Sequence, residues 1–212
     1  MANLQGQVGP VTGSDGSNPN FRQGRTSELN TADAHGRYNE LVARGNAYSL
    51  TVAAGAVSAF AGGAGGTPLI SIFNPPGSGK NLSVLFASVS VHASASGAGI
   101  VSFSLWGGVS VANTGTLTSP TNLLTLQTGG SVAKGSSNAA TTSTTAISGN
   151  GPLFNVGSYY WATAAAATLG PLFADIGGAI VCAPGNLVAF GGSAALTSAT
   201  YDASLIWEEL PQ

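Results

Sequence analysis

From Ala47 onward the chain alternates between apolar and small polar residues with a period of two. Tyr48, Leu50 and Val52 are separated by Ser49 and Thr51, Val101, Phe103 and Leu105 by Ser102 and Ser104, and Ala203, Leu205 and Trp207 by Ser204 and Ile206. Successive side chains of an extended strand point to opposite faces, so this spacing builds half-buried strands; a helix would scatter the same residues round its axis. Turn-forming clusters interrupt the pattern at Asn74 to Gly79, Gly107-Gly108, Gly129-Gly130, Gly177-Gly178, Pro184 to Asn186 and Gly191-Gly192. Further strands are expected at Leu69 to Phe73, Leu82 to His92, Leu123 to Leu126, Ala179 to Ala183 and Leu187 to Phe190. In the longest, the apolar phase moves from Leu82, Val84 and Phe86 to Ala87, Val89 and Val91, which predicts a bulge or burial on both faces. Many short strands with no amphipathic helix between them predict an all-β fold, an antiparallel β-sandwich or jelly roll. No fixed-period repeat occurs, which argues against a solenoid or propeller.

Charge divides the chain into two parts. It holds only 6 Lys and Arg and 8 Asp and Glu in 212 residues. Arg22, Arg25, Arg37 and Arg44, with Asp15, Glu28, Asp33 and Glu40, all precede residue 47, whereas Lys80, Lys134, Asp175, Asp202, Glu208 and Glu209 are spread over the remainder. Residues 1–46 are therefore expected to form an extended N-terminal arm and strap, too poor in apolar residues to fold alone, and residues 47–212 the sandwich body. Tyr38, Leu41 and Val42 fall at helical spacing with Gly45 as a terminator, although an extended strap fits equally. The stretch Thr128 to Gly151 is dominated by Gly, Ser, Thr, Ala and Asn and is expected to be a long surface loop, while Ala164 to Ala167 fits a helical turn. A soluble monomeric body ordinarily carries more charge than this one, so its surface is expected to be covered by copies of itself or by a larger assembly.

Several function classes are disfavoured. A net charge of -2 and the lack of any Lys or Arg cluster in the body give no electrostatic basis for direct nucleic-acid binding. Gly, Ser, Thr or Pro interrupts every apolar run short of a membrane span, and Met1 to Gly6 lacks the pattern of a secretory signal. Cys182 is the sole cysteine and sits in the apolar run 180–183, which predicts a buried thiol with no disulfide and no metal.

Signals for chemistry are weak. Asn74 to Asn81 superficially resembles a phosphate-binding loop, but Asn74 stands where that loop needs Gly and Asn81 where it needs Ser or Thr, so a turn joining two strands is expected. His35 and His92 are isolated, and His92 is read as facing solvent or an interface. Glu208 and Glu209 are expected to blunt an edge or face solvent at the end of the last strand. Trp106, Trp161, Trp207, Tyr159 and Tyr160 are expected in a core or subunit interface, with a sugar-binding surface as the alternative. No catalytic residue, cofactor or metal site is expected, and the chain is read as not an enzyme. The arm has the better functional case: its arginines make forked bonds to carboxylates, and Arg22, Arg25, Arg37, Tyr38 and Arg44 are the candidate docking residues.

Arg37-Tyr38-Asn39-Glu40-Leu41-Val42-Ala43-Arg44-Gly45-Asn46, the turn from Asn74 to Asn81, Pro184-Gly185-Asn186 and Ile206-Trp207-Glu208-Glu209-Leu210-Pro211 together resemble structural proteins of tailed bacteriophages. The resemblance spans most of the body. It implies a virion protein, a head decoration or cement protein with a jelly-roll-like body, and carries over no catalytic residue. The expected partners are the major capsid protein and further copies of the chain, as a homotrimer, on the outer surface of a capsid assembled in the host cytoplasm. The second expectation is a receptor- or carbohydrate-binding sandwich of a tail or head fibre, using the loop from Thr128 to Gly151 and exposed aromatics.

Overall fold

The computed structural model describes residues 37–56, 68–93, 98–109, 117–137, 152–161, 170–193 and 199–212. The chain divides into two units, Met1–Glu40 and Leu41–Gln212, and the sandwich belongs to the second. Its strands are β1 (Ala47–Ala56), β2 (Ile70–Phe73), β3 (Lys80–Ala93), β4 (Gly99–Val109), β5 (Thr121–Asn122), β6 (Lys134–Ser137), β7 (Phe154–Trp161), β8 (Leu172–Cys182), β9 (Asn186–Gly192) and β10 (Thr200–Pro211). They form two five-stranded sheets, ordered β5-β1-β10-β3-β8 and β6-β2-β9-β4-β7, in which every pairing is antiparallel.

The winding is that of a jelly roll. With β5 and β6 set aside, the first strand pairs with the last, β2 with β9, β3 with β8 and β4 with β7. This is one long antiparallel ribbon folded across itself into two layers. The connection from β4 to β7 supplies β5 and β6, which widen the two sheets beside β1 and β2 respectively. All-β architecture and a two-sheet sandwich are thus what the alternating sequence predicts.

The core lies between the layers, because one face of each strand is apolar. Leu50 and Val52 of β1, Val101, Phe103 and Leu105 of β4, and Ala203, Leu205 and Trp207 of β10 are all buried there. Phe103 sits at the centre, edge-on to Tyr201 at 4.9 Å and to Tyr159 at 5.8 Å between ring centroids. The second sheet has a smaller apolar cluster of Trp106, Leu187 and Ala189, with Phe73 packed against it.

Both readings of the long strand hold. The register of β3 slips between Val84 and Phe86 against each neighbour, with Leu85 the extra residue against β10 and the extra residues on β8 at the other side, and residues 82–85 are all buried. Other expectations are corrected. Leu123 to Leu126 is a turn, because the Asn122 carboxamide captures the backbone N–H groups of Leu124 and Thr125 at 2.9 and 3.1 Å and so diverts the chain from a strand ladder. The stretch from Thr128 is not one continuous loop, since 134–137 is β6, paired with β2; residues 138–151 lie outside the described residues, as do Ala164 to Ala167. Gly107-Gly108, Gly177-Gly178 and Gly191-Gly192 lie within β4, β8 and β9 and are not turns between strands. β7 was not anticipated at all.

Ahead of the sandwich, Asn39–Ala43 forms a short helix, α1. Gly45, at φ +71°, ends it with two bonds, Gly45 N–H to Val42 C=O at 2.9 Å and Asn46 N–H to Leu41 C=O at 3.3 Å. This paired arrangement needs a left-handed residue at that point, which glycine adopts without a steric penalty.

Candidate functional site

Of the expected docking residues, Arg22 and Arg25 lie outside the described residues. Arg37 is exposed, with its guanidinium 5.3 Å from the ring centroid of half-buried Tyr38. Arg44 is exposed at the foot of the sandwich, where its charge acts on Glu208. The point at which the chain enters the sandwich is fastened from three sides. The Asn122 Nδ2 group donates to Gly45 C=O at 2.7 Å, Leu123 N–H donates to Ala47 C=O at 3.0 Å, and Glu209 N–H donates to Asn46 C=O at 2.9 Å.

Glu208 and Glu209 overturn the expectation of a solvent-facing pair. β10 lies in the middle of its sheet, between β1 and β3, so its end is not an edge and both glutamates are buried. Glu209 accepts from Lys80 Nζ at 3.0 Å, Ser131 Oγ at 2.5 Å and Val132 N–H at 2.9 Å. Donation from an ammonium, a hydroxyl and an amide to this one side chain ties the 131–132 segment to the sheet. Glu208 lies on the opposite face of the strand, because neighbouring strand residues point apart. Burial pushes its carboxyl above the ordinary carboxylate range, with Arg44 opposing that effect. The two carboxyls therefore do not converge on one pocket as an acid–base pair would.

The turn after β2 is structural. Buried Asn74 donates through Nδ2 to Lys80 C=O and Cys182 C=O, both at 2.8 Å, and accepts through Oδ1 from Ser78 at 2.7 Å. Its backbone N–H bonds Asn186 C=O at 2.9 Å, and its carbonyl accepts from Gly185 at 2.7 Å. One side chain thus clamps the two crossings between sheets, β2 to β3 and β8 to β9. Cys182 beside it is a buried free thiol, and burial raises its pKa to about 12. His92 is exposed, as the sequence predicts, with Nδ1 3.1 Å from Asp202 Oδ2.

Most of the candidate aromatics are interior. Trp207 is fully buried and stacks on Tyr48 at 6.3 Å, and Trp106 and Tyr159 are also buried. The Tyr159 hydroxyl donates toward Val89 C=O at 3.0 Å and Gly170 C=O at 2.8 Å and accepts from Leu172 N–H, which joins β7 to β3 and β8. Tyr160 alone of the five is exposed among those described, since the Trp161 side chain lies outside the description. No cluster of three or more His, Cys, Asp or Glu residues suited to a metal ion occurs among the described residues. No helix among them is long and apolar enough to cross a membrane.

Sequence reasoning missed Asn74, Asn122 and Glu209 as fastening residues. The available signal was Glu209 in phase with Leu205 and Trp207, where the apolar face of the strand continues and a charge requires a partner. No protein-family model, no curated protein and no solved structure matches this chain.

Proposed function

We propose that the chain is a non-enzymatic virion structural protein, a decoration or cement protein on the outer surface of a tailed-phage capsid. The observation that carries this reading is the division of charge: four of the six Lys and Arg residues lie before residue 47. In the body, Lys80 and Glu209 neutralise each other, which leaves its surface poorer still in charge. A surface of that kind is suited to contact with other protein, here further copies in a homotrimer, while the arm lies along the major capsid protein. Linked body and arm contacts act by avidity, so that modest individual interfaces hold a lattice together. The glycan-binding alternative has less support, because the tryptophans described are buried and do not form an exposed aromatic cluster.

The test is co-sedimentation with undecorated capsids at several salt concentrations, comparing the full chain with one lacking residues 1–30. The full chain should bind, and the shortened chain should bind more weakly with a flatter salt dependence. Failure of the full chain to bind would sink the reading.

A further inference from the structure

Three consecutive carbonyl groups mark the place where the chain enters the sandwich, and each is held by a different residue of the body. Gly45 C=O accepts from Asn122 Nδ2 at 2.7 Å, Asn46 C=O from Glu209 N–H at 2.9 Å and Ala47 C=O from Leu123 N–H at 3.0 Å. Two of these donors are themselves pinned. Asn122 N–H donates to Gln127 C=O, its carbonyl accepts from Leu126 N–H, and its Oδ1 accepts from the N–H groups of Leu124 and Thr125. Glu209 is fixed through its buried side chain by Lys80, Ser131 and Val132. Closing the turn between Thr121 and Thr128 employs the Asn122 backbone and Oδ1, but the bond from Nδ2 contributes nothing to that turn and reaches back to Gly45. Beyond this point β1 runs between β5 and β10, paired with Asn122 and Thr121 on one side and with residues 203–208 on the other. Bonds of an antiparallel ladder lie across the strands, so a pull along β1 loads them together, whereas a sideways pull opens them one at a time.

We infer that residues 45–47 are a tension anchor. Force carried by the arm enters the body here and passes into β5 and β10 together, so the arm is released only when β1 leaves its sheet. For the source of that force this rests on the decoration reading, in which arm and body are gripped by different subunits and pulled against each other whenever the lattice moves. Avidity between two linked contacts lasts only as long as the link between them holds. The Asn122 carboxamide is the positioning group: with both of its ends engaged, it cannot swing away from Gly45 without also giving up the turn.

The test is a constant-force measurement on the full chain, with one handle at Met1 and the other at His92→Cys. His92 is exposed near the far end of β3, where Ala93 pairs with Thr200, and Cys182 is buried, so the introduced thiol takes the handle. The discriminating variant is Asn122→Asp, which keeps the acceptor for Leu124 and Thr125 and sets a carboxylate oxygen in place of the donor to Gly45. Its lifetime under force should fall roughly tenfold in this geometry. With the first handle moved to Gln212, which draws on β10 instead, its lifetime should equal the parent's. A parent-like lifetime in the arm geometry would overturn the anchor. Equal shortening in both geometries would make Asn122 a general stabiliser and overturn it as well. Asn122→Ser, which keeps a shorter acceptor, gives the same comparison where the aspartate variant does not fold. The measurement needs no capsid, so failure of the anchor and failure of the decoration reading are told apart.

Discussion

Glu209 is a carboxylate removed from water, and its three donors make it stable there. Glu209→Ala would leave the Val132 N–H and Ser131 hydroxyl without their acceptor and Lys80 without its counter-charge. The expected loss is about 3 kcal/mol, read by urea unfolding, with a smaller loss for Glu209→Gln because an amide oxygen still accepts. Glu208 behaves in the opposite sense. Its carboxyl is held above the ordinary value of 4.5, so the folded chain keeps this proton more tightly than the unfolded chain, and stability falls as pH rises through that range. Glu208→Gln should therefore raise the unfolding temperature at neutral pH, and the gain should vanish well below pH 4.5. Cys182, with its thiol raised to about 12, should resist iodoacetamide in the native protein and react fully in denaturant, as followed by intact mass. Its burial was legible from its apolar neighbours. The roles of the two glutamates were not, because adjacent strand residues face opposite environments and only the position of β10 in its sheet decides what those are.

At the scale of elements, strands that bury one face and keep their period are the legible ones, as β1, β4 and β10 demonstrate. β6 has the sequence Lys-Gly-Ser-Ser and no apolar residue, so nothing local marks it as a strand. Its place comes from pairing with β2 and from close packing. A carbon added at Gly135 would lie 2.8 Å from Leu50 Cδ2 and 2.9 Å from the Thr118 carbonyl oxygen. Gly135→Ala should therefore cost about 1 to 3 kcal/mol, measured by chemical denaturation, although alanine ordinarily suits a strand better than glycine. β7 escaped notice for a different reason, since its register slips between Phe103 and Ser104 of its partner and breaks the alternation. β8 likewise bulges, with residues 176–179 set against Leu85 alone. These two strands are the outer edges of the two sheets on the same side of the sandwich, and bulges there discourage strand-to-strand aggregation. In the homotrimer proposed above, contacts between copies would accordingly use side chains and not continuous sheets.

For the molecule as a whole, fold class was legible because local alternation and turn chemistry agree with it. The order in which strands pair was not, because it depends on contacts more than a hundred residues apart. The winding has a consequence in time. β10 separates β1 from β3, and each of them bonds to it along most of its length. A chain emerging from the ribosome has β1 and β3 exposed early, yet they have no common neighbour until residues 200–211 arrive. Closure of such distant pairs is slow and cannot begin from a partial sequence. A chain stopped after Ala199 should show no cooperative transition by calorimetry, in contrast to one lacking residues 1–30, whose transition should stay within about 2 °C of the parent's because the sequence of that segment is poor in apolar residues. β10 thus decides whether the layer forms at all: a product interrupted before residue 200 lacks the one strand that β1 and β3 both require as a neighbour.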